Sequence, residues 1–88
     1  MTNRDSAHMY KGVARNIRRF RDAFGYSQEK LARMTGLSRI YISHIETCRR
    51  YPSVGVLMKI CEAFSVTFSD IADWSDDGSQ TTYRPEDV

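Results

Sequence analysis

At 88 residues, with 41% hydrophobic and 11% aromatic side chains, the chain has the material for one small domain around an apolar core. Its net charge of +2 hides a division: residues 1–59 hold twelve Lys and Arg against four acids, whereas residues 60–88 hold one Arg against seven acids. No apolar run approaches the roughly 20 residues of a spanning helix, and Cys48 and Cys61 lack the spacing of a disulfide framework or a zinc site. The expected setting is cytoplasmic, without membrane, metal or cofactor.

Residues 1–10 show no periodicity and are expected to form a loose N-terminal arm. From Lys11 to Phe24, the apolar residues Val13, Ile17, Phe20 and Phe24 recur at steps of three and four, with Arg15, Arg18, Arg19 and Arg21 around the rest of the circumference. That is an amphipathic first helix, ended by Gly25. A second helix opens at the N-cap Ser27, runs through Leu31, Ala32 and Met34, and stops at Gly36, which accepts a positive φ. A third follows at once over about 38–47, with Ser38 as its N-cap. Ile42 and Ile45 face inward with Leu37, and Arg39, Ile40, Ser43, His44 and Thr47 fall on the other side.

Beyond Thr47 the pattern breaks into CRRYP, where Pro52 holds Tyr51 extended. Ser53 caps a fourth helix with Leu57, Ile60, Cys61 and Phe64 on its inward stripe, and a short fifth is expected from about Ser69 to Asp73. Residues 75–88 are polar and acidic enough to form a tail. The chain thus divides into an arm (1–10), an all-α domain of about five helices (11–74) and the tail.

Two short helices joined by a glycine-marked turn, with a basic outward face, suit double-stranded DNA. A basic region is what counterion release from a phosphate backbone requires, and the acidic end is expected to point away from it. The outer face of a three-turn helix fits the major groove, where each base pair shows a distinct pattern of donors, acceptors and methyl groups. The planar fork of Arg39 matches guanine O6 and N7, or else reaches a phosphate. Ile40 suits a thymine methyl, and Ser43 and His44 lie one turn further on. Gln28, at a helix N-terminus, is placed for a phosphate, as are Thr47, Arg49 and Arg50 around the end of the third helix. Tyr41 either donates its hydroxyl to phosphate or covers the core edge.

The run SQEKLARMTGLSRIYISHIE, followed by PS and an apolar fourth helix, resembles the Cro and phage-repressor (XRE) family of helix-turn-helix proteins over about residues 11–74. The resemblance implies a lambda-repressor-like bundle in which Gln28 holds phosphate and the start of the third helix, Arg39, Ile40, Ser43 and His44, reads bases. It further implies a salt bridge between Arg21 and Glu46 that positions rather than reads. One position departs from the family pattern: Cys48 stands where relatives commonly have Gly, so a positive φ there would be strained.

The implied function is a transcription regulator that binds a pseudo-palindromic operator as a homodimer, of the restriction-modification controller or Cro-like repressor type. The expected dimer surface is Phe68, Ile71, Ala72 and Trp74, with Trp74 alternatively closing the monomer core. The competing reading is an antitoxin or protein-interaction module on the same fold, with the acidic tail docking an additional protein partner. No nucleophile, base and orienting acid fall together in a motif, so no enzyme activity is expected.

Overall fold

The computed structural model describes the backbone of residues 3–72 and the side chains of residues 8–72. Five helices follow one another: α1 (Asn3–Phe24), α2 (Gln28–Thr35), α3 (Arg39–Glu46), α4 (Val54–Phe64) and α5 (Phe68–Ala72). Among the described residues there is no strand, and no helix is long and apolar enough to cross a membrane.

One device opens α2, α3 and α4. Ser27 Oγ accepts from the Lys30 amide at 3.0 Å, Ser38 Oγ from Tyr41 at 3.0 Å and Ser53 Oγ from Val56 at 3.2 Å. Each such cap satisfies a donor the helix cannot, and is worth about 1 kcal/mol. The periodic apolar residues then meet in one core. Ile17, Leu31, Ile42, Ile60 and Ile71 are fully buried, with Val13, Phe20, Ala32, Ile45, Leu57, Cys61 and Phe64 around them. Each fully buried Leu or Ile contributes about 2 kcal/mol. In α2 the third inward residue is Thr35 rather than Met34, which is exposed; the Thr35 hydroxyl donates back to the Leu31 carbonyl at 2.8 Å.

α1 packs on α3, α4 and α5, and α2 packs on α3 and α4, so α2 and α3 lean on a frame made by the other helices. Phe24 ends α1 at the rim. Its ring meets Tyr26 and Phe64, each with centroids 5.6 Å apart, and this aromatic group closes the carboxyl end of α1.

The sequence predicts a loose arm over residues 1–10, whereas α1 already runs from Asn3. Those first turns carry no apolar period, but they also contain no Gly or Pro to break a helix. A distant contact reinforces them: the ring of Tyr10 stacks on that of Tyr51, with centroids 4.3 Å apart and planes 6° from parallel.

The last helix also differs from expectation. α5 is Phe68–Ala72, one residue earlier at its start than the Ser69 the pattern suggests, because Thr67 and Asp70 cap each other reciprocally: the Thr67 amide donates to Asp70 Oδ2 at 2.9 Å and the Asp70 amide to Thr67 Oγ1 at 3.1 Å. Five residues cannot hold a helix unaided. The buried Asn16 side chain of α1 donates to the Ile71 carbonyl at 2.9 Å and ties α5 down. Ile71, expected on a dimer surface, is instead fully buried in the core, because it is the inward position of so short a helix. Phe68 remains 41% exposed and Ala72 half-buried. Trp74 and the acidic tail lie outside the described residues. Burial pushes the Cys61 thiol pKa up, with the charge of Asp70 adding to the effect, so this cysteine behaves as a core residue.

Candidate nucleic-acid interface

α3 has two unlike faces. Ile42 and Ile45 are buried, whereas Arg39 and Ile40 are exposed and Ser43 and His44 half-exposed. Ile40 shows 58% of its surface to solvent. It sits beside the exposed Arg39 at the capped start of the helix, so an apolar and a cationic side chain are presented together to solvent. Arg39, Ile40, Ser43 and His44 are therefore brought together on one face, as their spacing suggests. Tyr41, by contrast, is half-buried and packs against the core, so its ring serves the fold whatever its hydroxyl does.

The far end of α3 is held by a network centred on Glu46, whose side chain is 3% exposed. Arg21 grips it with two hydrogen bonds, Nε to Oε2 at 2.8 Å and Nη2 to Oε1 at 3.1 Å, and its Nη1 donates to the Tyr26 carbonyl at 3.0 Å. The pairing with Glu46 raises the Arg21 pKa, foremost through that hydrogen bond, and keeps the guanidinium charged. A bidentate pair of this kind is directional as well as strong. It fixes α3 to α1 through two planar groups, which sets how the outward face of α3 is presented.

Two further side chains join the network. Gln28 Nε2 donates to Glu46 Oε1 at 3.0 Å, so the amide expected at a phosphate is tied within the protein by one of its hydrogens. Arg18 Nη1 donates to the Glu46 carbonyl. Sequence reasoning missed Arg18, although a signal was present: it lies three residues before Arg21, on the same side of α1, and so reaches the same end of α3.

Thr47, the residue that closes α3, donates its hydroxyl to the Ser43 carbonyl at 2.9 Å. In this arrangement its proton is engaged within the helix, and a phosphate contact would require the exposed hydroxyl to turn outward. Arg49 and Arg50 follow, both exposed, on a turn that passes through Cys48 at φ 62°. The residue that stands where the family pattern has Gly thus does take the left-handed conformation. The Arg49 amide donates to the His44 carbonyl at 2.8 Å and the Cys48 amide to that of Ile45 at 3.2 Å. This pair of bonds is the Schellman ending, which satisfies the last carbonyls of a helix.

A bundle whose two central short helices meet at a left-handed glycine, with the second presenting a basic outer face, defines a helix-turn-helix domain. Comparison with known proteins agrees. The helix-turn-helix family model matches residues 17–71. The chain is 40% identical over 55 residues to the uncharacterized HTH-type transcriptional regulator YgzD of Bacillus subtilis (strain 168), covering 62% of this chain and 83% of that one. It is 32% identical over 69 residues to the uncharacterized HTH-type transcriptional regulator y4dJ of Sinorhizobium fredii (strain NBRC 101917 / NGR234), covering 78% and 90%. A crystal structure of the hypothetical transcription factor NHTF from Neisseria superposes with a TM-score of 0.74 at 31% identity, over 81% of this chain and 82% of that one. The chain belongs to the XRE-type helix-turn-helix family of DNA-binding proteins.

Proposed function

We propose that the chain is a sequence-specific transcriptional regulator that binds a pseudo-palindromic operator as a homodimer, with α3 in the major groove. The observation that carries this reading is the exposed, basic and partly apolar start of α3 on a helix whose opposite face is locked into the core. Arg39 reads a guanine, Ile40 touches a thymine methyl, and Ser43 and His44 contact the neighbouring base edges. Arg49 and Arg50 take phosphates, joined by Gln28 through its remaining amide hydrogen and by the N-terminus of α2.

Two-fold pairing supplies the specificity that one helix contacting a few base pairs lacks. The exposed ring of Phe68 beside Ala72 supports α5 as part of the contact surface. The relatives, most of whose length this chain matches, are named as HTH-type transcriptional regulators and support that coarser reading; the restriction-modification controller or Cro-like subtype rests on the RIYISHIE run alone.

Selection from a random duplex library at near-physiological salt tests the proposal. An enriched inverted repeat is the expected result. Enrichment of a single half-site would remove the dimer, and no enrichment by folded protein would move the function to partner binding. Within an enriched site, Arg39→Ala is expected to cost about 1–3 kcal/mol at one base position and to relax preference there. Unchanged preference would remove Arg39 from base reading.

A further inference from the structure

We propose that Tyr10 and Tyr51 form an aromatic clamp that positions Arg49 and Arg50 for the DNA backbone, a role that rests on the DNA-binding reading above. The two rings come from the first helix and from the loop between α3 and α4, and lie nearly parallel, 4.3 Å between centroids. At that separation parallel rings are offset-stacked, the arrangement their quadrupoles favour. Tyr10 is seven residues inside α1, and the next turn of the helix is buried through Val13 and Ala14. It is therefore a fixed platform.

The turn that leaves α3 is fastened to that platform and to α3 itself. The amides of Arg49 and Arg50 both donate to the His44 carbonyl, at 2.8 and 3.2 Å. Cys48 Sγ lies 3.8 Å from the Tyr10 carbonyl, as a weak donor to it. Pro52, directly after Tyr51, is buried. Arg49 and Arg50 thus project from a segment held before, beneath and after them, while their own side chains stay exposed.

That arrangement has a function only if the two guanidiniums must be in place before the ligand arrives. Tyr51 is 59% exposed, so its ring adds little to the core. Stacked on the half-buried ring of Tyr10, it mainly restricts the turn. Restricting a basic turn in advance removes an ordering cost from each phosphate contact it makes. Tyr10 and Tyr51 are positioning residues in this scheme, acting through Arg49 and Arg50.

The experiment measures affinity against salt for the full chain on its selected duplex. Tyr51→Ala is expected to weaken binding about tenfold at 0.15 M salt, equally on specific and unrelated duplexes, and to make the salt slope shallower by about one per protomer. Tyr51→Phe keeps the stack and is expected to bind like the parent, whereas Tyr51→Leu keeps apolar bulk without the stack and is expected to resemble Tyr51→Ala. In an Arg49→Ala/Arg50→Ala background, Tyr51→Ala is expected to have no further effect. A Tyr51→Ala loss that persists in that background, or parent-like salt dependence in folded Tyr51→Ala or Tyr51→Leu, would overturn the clamp while leaving the DNA-binding reading intact. A parent protein with no salt-dependent binding to any duplex would overturn both.

Discussion

The turn into α3 and the turn out of it both pass through a left-handed residue, Gly36 at φ 76° and Cys48 at φ 62°. The hydrogen bonding is closely related as well. Gly36 and Leu37 both donate to the Ala32 carbonyl, at 2.9 and 3.2 Å, and the outer turn has the Schellman pair to Ile45 and His44. What differs is who bears the cost of the bend. Glycine has no Cβ to clash, so the inner turn is set by local chemistry alone. A cysteine in the same conformation is disfavoured by about 1–2 kcal/mol, and the outer turn therefore depends on distant partners. Those partners are α1 residues: Arg21 and Arg18 on Glu46, and Tyr10 on Tyr51 and Cys48.

Removing the ionic partner should separate the two turns most strongly. Arg21→Ala leaves the Glu46 carboxylate buried with Gln28 as its remaining side-chain donor in the network, and is expected to cost about 3 kcal/mol in chemical denaturation. Hydrogen exchange should resolve where. Amides from Thr47 to Arg50 are expected to lose protection before Leu37 does, since the inner turn has no share in the network. Equal loss at both turns would mean that they unfold as one unit and that the contrast drawn between them has no energetic content.

The inner turn has its own break. A Cβ built on Gly36 would find no atom within 4 Å, so Gly36→Ala creates no clash and isolates the backbone cost. The expected loss is about 1–2 kcal/mol. A loss near zero would show that the turn can move to a different conformation without penalty.

How much of this was legible follows the same line between local and distant causes. The limits of α2 and α3 and the start of α4 were readable, because serine caps and a glycine stop act within a few residues. The outward set Arg39, Ile40, Ser43 and His44 was readable too, since helical spacing alone separates it from Ile42 and Ile45. The first turns of α1 were not. They have no apolar period, and the ring that meets Tyr10 lies 41 residues further along the chain. The Asn16 bond to Ile71 was hidden for the same reason, and with it the burial of Ile71. The helix-start position of Gln28 was readable, but its bond to Glu46 was not, because tertiary packing alone brings the two together.

The smallest effect is the most telling, because its sign is at issue. Cys48→Gly should relieve the left-handed strain of about 1–2 kcal/mol, but glycine also loses more backbone freedom on folding, by roughly 0.5–1 kcal/mol. The weak Sγ contact to Tyr10 is lost as well. The net expectation is a gain of about 0.5 kcal/mol, measured as a higher denaturation midpoint at unchanged slope. A clear loss instead would mean that the thiol contact with α1 is worth more than the strain it accompanies. The outer turn would then be held in its left-handed bend by α1, rather than merely tolerated there.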